Sequence, residues 1–102
     1  MPVMIGLVHV RPRPGNSELG TSRGAFLTAL AEAIDAADFK AKMIDELGAL
    51  EFDVVEVEEV EPFDDRIAKF KVDPQLIVLA AEVGKLGGIR FGTFHSYKKD
   101  EP

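Results

Sequence analysis

The spacing of apolar positions changes several times along the chain, and each change marks an element. Residues 3–11, VMIGLVHVR, are apolar on both alternating faces and rich in Val and Ile, which predicts a buried strand. The following RPRPGNSELGTSRG contains two prolines without donors and three glycines, so it predicts a long exposed loop. Residues 25–34, AFLTALAEAI, fit two templates. Phe26, Leu27, Leu30 and Ile34 make a helical stripe, whereas alternation puts Leu27, Ala29, Ala31 and Ala33 on one face and Phe26, Thr28, Leu30 and Glu32 on the other. Asp35 followed by Asp38 reads as an N-cap with an acid at N3, which starts a fresh helix and favours a strand before it.

From Asp35 to Leu50 the period is helical, with Phe39, Met43, Leu47 and Leu50 on one face. Asp38 with Lys42 and Lys42 with Glu46 form i,i+4 pairs outside it. FDVVEVEEVEPF (52–63) alternates, placing Val55 and Val57 on one side and Glu56 and Glu58 on the other until Pro62 ends the ladder. DDRIAKF supplies at most one helical turn. Asp73 and Pro74 then form a cap and N1 pair, Gly87 and Gly88 a stop, and Leu76, Leu79, Ala80, Val83 and Leu86 an inward stripe, so 74–86 predicts a helix with a hairpin strand as the rival. Ile89–Lys98 predicts the last strand.

The order β-β-α-β-α-β predicts an α+β fold: a two-layer sandwich, ferredoxin-like, with two helices on one face of a four-stranded sheet. Its other face would be bare, and a second copy is the simplest cover for apolar residues there, which predicts a homodimer.

Size and composition narrow the classes. The 102 residues suit a single domain over 1–102. With no cysteine, disulfides, thiolate metal sites and cysteine nucleophiles are excluded. The N-terminal apolar run lacks preceding basic residues and falls short of the ~20 residues of a membrane span, so the expectation is a cytoplasmic protein with no membrane role. The formal net charge of -6 is concentrated: residues 35–66 hold twelve acids against Lys40, Lys42 and Arg66. Such a middle third repels nucleic acid and attracts a basic protein partner, with solvation of an acidic face as the plainer role.

Residues 24–63 and the ending FGTFHSY resemble small bacterial proteins of no assigned activity, which join an Ala-rich strand, an acidic helix and a VVEVEEVEPF-type strand. More broadly the chain is similar to the dimeric α/β-barrel superfamily, whose members include cofactor-free monooxygenases and stress-responsive proteins. The resemblance implies fold and supports a strand over 25–34; it assigns no residue a role.

For chemistry, an unbroken last strand would put Phe91, Thr93, His95 and Tyr97 on one face and Arg90, Phe94 and Ser96 on the other. His95 can exchange protons near neutrality and Tyr97 can donate to an oxyanion, so these two are the catalytic candidates and all four residues the ligand-binding candidates. The plainer alternative is an ordinary closing strand, with Tyr97 an amphipathic terminus and His9 core-edge packing. No metal is expected: a two-histidine, one-carboxylate site would need His9 beside His95, and no prepared spacing exists. The acids at 56, 58, 59 and 61 lack a calcium-loop pattern and fit a charged edge that deters aggregation. GKLGG lacks the order of a phosphate loop, and no cofactor is expected. Glu56 and Glu58, or Arg11, Arg13 and Arg23 on the loop, are the partner-binding candidates.

With no motif of fixed catalytic spacing, the leading reading is a non-enzymatic interaction or regulatory module acting as a homodimer. The alternative is a small-molecule-binding protein or cofactor-free enzyme with a pocket around His95.

Overall fold

A computed structural model of the chain describes residues 1–15 and 23–97, leaving aside the side chains of Ser96 and Tyr97. The elements in order are β1 (Val3–Pro12), β2 (Gly24–Glu32), α1 (Ala36–Ala49), β3 (Phe52–Pro62), α2 (Phe63–Lys69), α3 (Pro74–Leu86), β4 (Ile89–Phe91) and β5 (His95–Tyr97). All the strand pairings are antiparallel, in the order β3-β1-β2-β4, with β5 also on β2. Because β4 faces Ala29–Ala31 and β5 faces Gly24–Phe26, these two short strands act as one interrupted fourth strand.

The α+β class and the four-stranded antiparallel sheet are as expected, and residues 25–34 resolve as strand through Glu32. The arrangement of layers differs. β1 and β2 are apolar on both faces, and both faces receive helices. Met4, Val8 and Val10 of β1 pack with Leu27, Ala29 and Ala31 of β2 against Phe39, Met43 and Leu47 of α1. On the opposite face Ile5 and Leu30 pack against Phe63 of α2 and Ala80 and Val83 of α3. Three layers therefore replace the expected two. The order β-β-α-β-α-α-β-β, opening on two paired strands, also departs from the β-α-β-β-α-β of a ferredoxin-like chain. DDRIAKF (64–70), expected as one turn at most, lies largely within a seven-residue helix, Phe63–Lys69.

Local chemistry explains the boundaries. Asp35 Oδ1 accepts from the Asp38 N–H at 2.8 Å, and Asp38 Oδ2 accepts from the Ile34 N–H at 3.0 Å, which caps α1 from both sides. Asp73 Oδ1 accepts from the Gln75 N–H at 2.9 Å and starts α3, whose end is turned by Gly87 at φ 74°. Lys42 ties α1 to β2 by donating to the Glu32 carbonyl at 2.8 Å.

Bulges decide which side chains point where. Between Ile5 and Leu7, and again between His9 and Val10, β3 contributes one residue more than β1. Each extra residue flips the alternation, so Val54, Val57 and Val60 face α1 while Val55 is half exposed. The expected pairing of Val55 with Val57 on one face is thus overturned. The acids Glu56, Glu58 and Glu61 sit opposite His9, Leu7 and Ile5, on the face away from α1.

Candidate functional site

α2 and α3 cover only the Ile5–Leu30 end of their face of the sheet. Beyond them the strand registers lay out two transverse rows. One runs from Glu56 of β3 through His9 and Phe26 to His95 of β5. The other runs from Glu58 through Leu7 to Thr28. The His9 imidazole lies flat on Phe26, with ring centroids 4.4 Å apart and planes 17° from parallel. Phe26 is still 40% exposed, so this patch is the uncovered half of the sheet.

The interruption between β4 and β5 positions His95. Residues 92–94 span the interval that Leu27 and Thr28 fill on β2, three residues against two. The Gly92 N–H donates to the Thr28 carbonyl at 2.8 Å. A Cβ on Gly92 would lie 3.5 Å from that oxygen and from Leu76, an ordinary contact. The extra residue reverses the facing, so Phe91 and Phe94 pack toward α1 while His95 lies across from Phe26 on the opposite face. Phe91 and His95 therefore do not share a surface, contrary to the expectation of an unbroken strand. Thr93 and His95 do come together, on the wall of an open cleft of about 270 Å³ with Thr28, Asp73, Gln75, Leu76 and Gly92. Tyr97 pairs through its backbone with Gly24, and its side chain lies outside the described residues. The carboxylate on this wall, Asp73, is engaged as the cap of α3.

His9 and His95 lie on strands separated by β2, about 10 Å apart by strand spacing, with the Phe26 side chain between them. Among the described residues no group of three His, Asp or Glu side chains could hold a metal. Nor is any helix there long and apolar enough to cross a membrane.

The arginine candidates separate. Arg11 is an exposed residue of β1, opposite Asp53, and Arg23 immediately precedes β2. Arg13 is a clamp: its Nε donates to Asp53 Oδ1 at 2.9 Å, one terminal nitrogen donates to the Gly48 carbonyl at 3.2 Å, and its backbone N–H donates to the Glu51 carbonyl at 2.9 Å. Hydrogen bonding to Asp53 holds the guanidinium above its ordinary pKa.

A second cleft, of about 690 Å³, opens between the end of β3 and the segment joining α2 to α3, with Val60, Phe70, Val72 and Leu76 among its walls. Beside it Glu61 accepts from Arg66 and, at 2.6 Å, from Lys69, while a terminal nitrogen of Arg66 donates to the Glu59 carbonyl at 2.9 Å. Lys69 first, and Arg66 next, draw the Glu61 carboxyl below its ordinary pKa. This cluster was missed in the sequence. Its signal was the i,i+3 spacing of Arg66 and Lys69 on a helix that follows Glu61 directly.

No family model, curated protein or solved structure matches the chain.

Proposed function

We propose that the protein is a non-enzymatic interaction module, working in the cytoplasm as a homodimer, that docks a basic partner on the uncovered half of the sheet. The observation that supports this best is the pair of rows Glu56–His9–Phe26–His95 and Glu58–Leu7–Thr28, an aromatic and apolar patch bordered by carboxylates along its β3 side. A flat patch of that kind suits a protein surface: the ring supplies contact area and the acids supply steering and register. Glu56 and Glu58 belong to it directly, and Arg11 borders it.

The test is binding of a lysine-rich peptide, followed by isothermal calorimetry at rising salt. The native chain binds with affinity that falls as salt rises. Glu56→Lys with Glu58→Lys weakens binding about tenfold or more and removes the salt dependence. Equal binding by the double variant rejects the docking surface.

The second reading, a small-molecule-binding protein or cofactor-free enzyme of dimeric α/β-barrel type, draws support from the cleft that brings Thr93 and His95 together. Native mass spectrometry of protein purified from its own host separates the two. A small adduct lost in His95→Ala favours the cleft, and an adduct-free species favours the docking surface.

A further inference from the structure

The cleft of about 690 Å³ between the end of β3 and the α2–α3 segment lies outside the row that carries the docking reading. Its volume falls within the ~300–1,000 Å³ of small-molecule sites. Phe70, Val72 and Leu76 give it an apolar wall, and Phe70 is 60% exposed. Charges of both signs surround that wall: Arg66 and Lys71, with Glu59, Glu61 and Asp73. Glu61 is neutralised by Arg66 and Lys69. The Arg66 guanidinium is fixed by two bonds, from Nε to Glu61 and from one terminal nitrogen to the Glu59 carbonyl, while its other terminal nitrogen, Nη1, has no acceptor among the described residues. Asp73 commits Oδ1 to the Gln75 N–H, which leaves Oδ2. The Lys71 ammonium and the Glu59 carboxylate form no hydrogen bond or ion pair among the described residues.

We propose that this cleft binds a free α-amino acid with a large apolar side chain. The ligand's carboxylate accepts from Lys71 and from Nη1 of Arg66, its ammonium donates to Glu59 and Oδ2 of Asp73, and its side chain lies on Phe70, Val72 and Leu76. The charges select this class. A ligand with a carboxylate alone meets the two acids Glu59 and Asp73 unanswered, and one with an ammonium alone meets Lys71 and Arg66 in the same way. A dipolar head answers both sets, and an apolar body takes the wall between them. Arg66 is suited to its part because Glu61 and the Glu59 carbonyl already hold its plane, so less freedom is lost when a carboxylate arrives. The site does not rest on the docking reading. It shares Asp73 and Leu76 with the smaller cleft of Thr93 and His95, and the two are told apart by the residues on either side of that common wall.

The test titrates the whole, nitrogen-15-labelled chain with L-phenylalanine at low salt and follows the amide resonances. Saturable shifts are expected at residues 59–61, 66 and 70–73. Two analogues, 3-phenylpropionate without the ammonium and 2-phenylethylamine without the carboxylate, should each bind about fivefold or more weaker than phenylalanine. Lys71→Gln and Glu59→Gln, both at exposed positions, keep the native circular dichroism, and each weakens phenylalanine binding by about fivefold. Their effects on the analogues are opposite: Lys71→Gln weakens 3-phenylpropionate and spares 2-phenylethylamine, and Glu59→Gln does the reverse. No saturable shift with phenylalanine, or shifts centred on residues 93–95, overturns the site. An analogue that binds as tightly as phenylalanine, or phenylalanine affinity unchanged in both variants, overturns the assignment of a dipolar ligand.

Discussion

Gly6 lies on the face of β1 that receives α1, and the space above it is taken. A Cβ built there would stand 2.8 Å from Cε1 of Phe39, 3.2 Å from its Cζ and 3.1 Å from Cγ2 of Val60. Phe39 is fully buried, so its ring has no solvent side into which to swing. Overpacking of this kind costs ~1–3 kcal/mol. Replacing glycine by alanine also restricts the unfolded chain, which returns about 0.4–1 kcal/mol. Gly6→Ala should therefore destabilise by about 1–2 kcal/mol, a fall in Tm of roughly 5–15 °C for a chain of this length. Urea titration followed by circular dichroism gives the free energy, and a thermal scan gives the Tm. Phe39→Leu shortens the ring that causes the clash, so the double variant should be less destabilised than the sum of the singles by ~1 kcal/mol or more. Strict additivity, or a Gly6→Ala protein as stable as the native one, would refute the packing of α1 on this face and with it the three-layer arrangement.

Glu51 follows α1 with φ 67°, a left-handed conformation that costs a side-chain residue ~1–2 kcal/mol; Glu51→Gly should raise Tm by a few degrees in a thermal scan, even with the long 3.9 Å ion pair to Arg13 lost. Asp73→Ala removes the side-chain cap of α3 and should cost about 1 kcal/mol by urea titration. Val55→Ser should change stability by less than ~0.5 kcal/mol, whereas Val57→Ser, whose side chain packs toward α1, should cost at least about 1 kcal/mol; equal effects would deny the bulge between them. The Glu61 carboxyl is held below its ordinary 4.5 in the folded chain, so its contribution is complete above that value and disappears as pH falls through the lowered one. Glu61→Gln should flatten the loss of stability below pH 4.5 in acid titration, and an unchanged acid limb would show that the cluster does not contribute.

Much of the element order was open to reading because it depends on neighbours in sequence. Asp35 and Asp38 cap α1 as their spacing implies, and Asp73, Pro74 and Gly87 bracket α3. The alternation of Leu27, Ala29 and Ala31 against Phe26, Thr28 and Leu30 describes β2 as folded, and the structure turns the first set to α1. The candidate site was only half legible. His95 was singled out with Thr93, which does lie beside it, but Phe91 does not share their surface, since one extra residue at 92–94 turns it to the opposite face. A bulge has no signature in a period-two pattern, and an alternation rule carries through it unaware.

The sequence by itself determined the α+β class, the capped helices, the acidic middle of the chain and the exclusion of cysteine chemistry, because composition, caps and periodicity act over a few residues. Only the tertiary structure decided that helices lie on both faces of the sheet, that His9 stacks on Phe26 and stands in one row with Glu56 and His95, and that Arg13 is a clamp between β1 and the α1–β3 turn. These depend on strand register and on two bulges in β3, which are set by how layers fill the space between them. Such choices join residues tens of positions apart, and no local pattern encodes them.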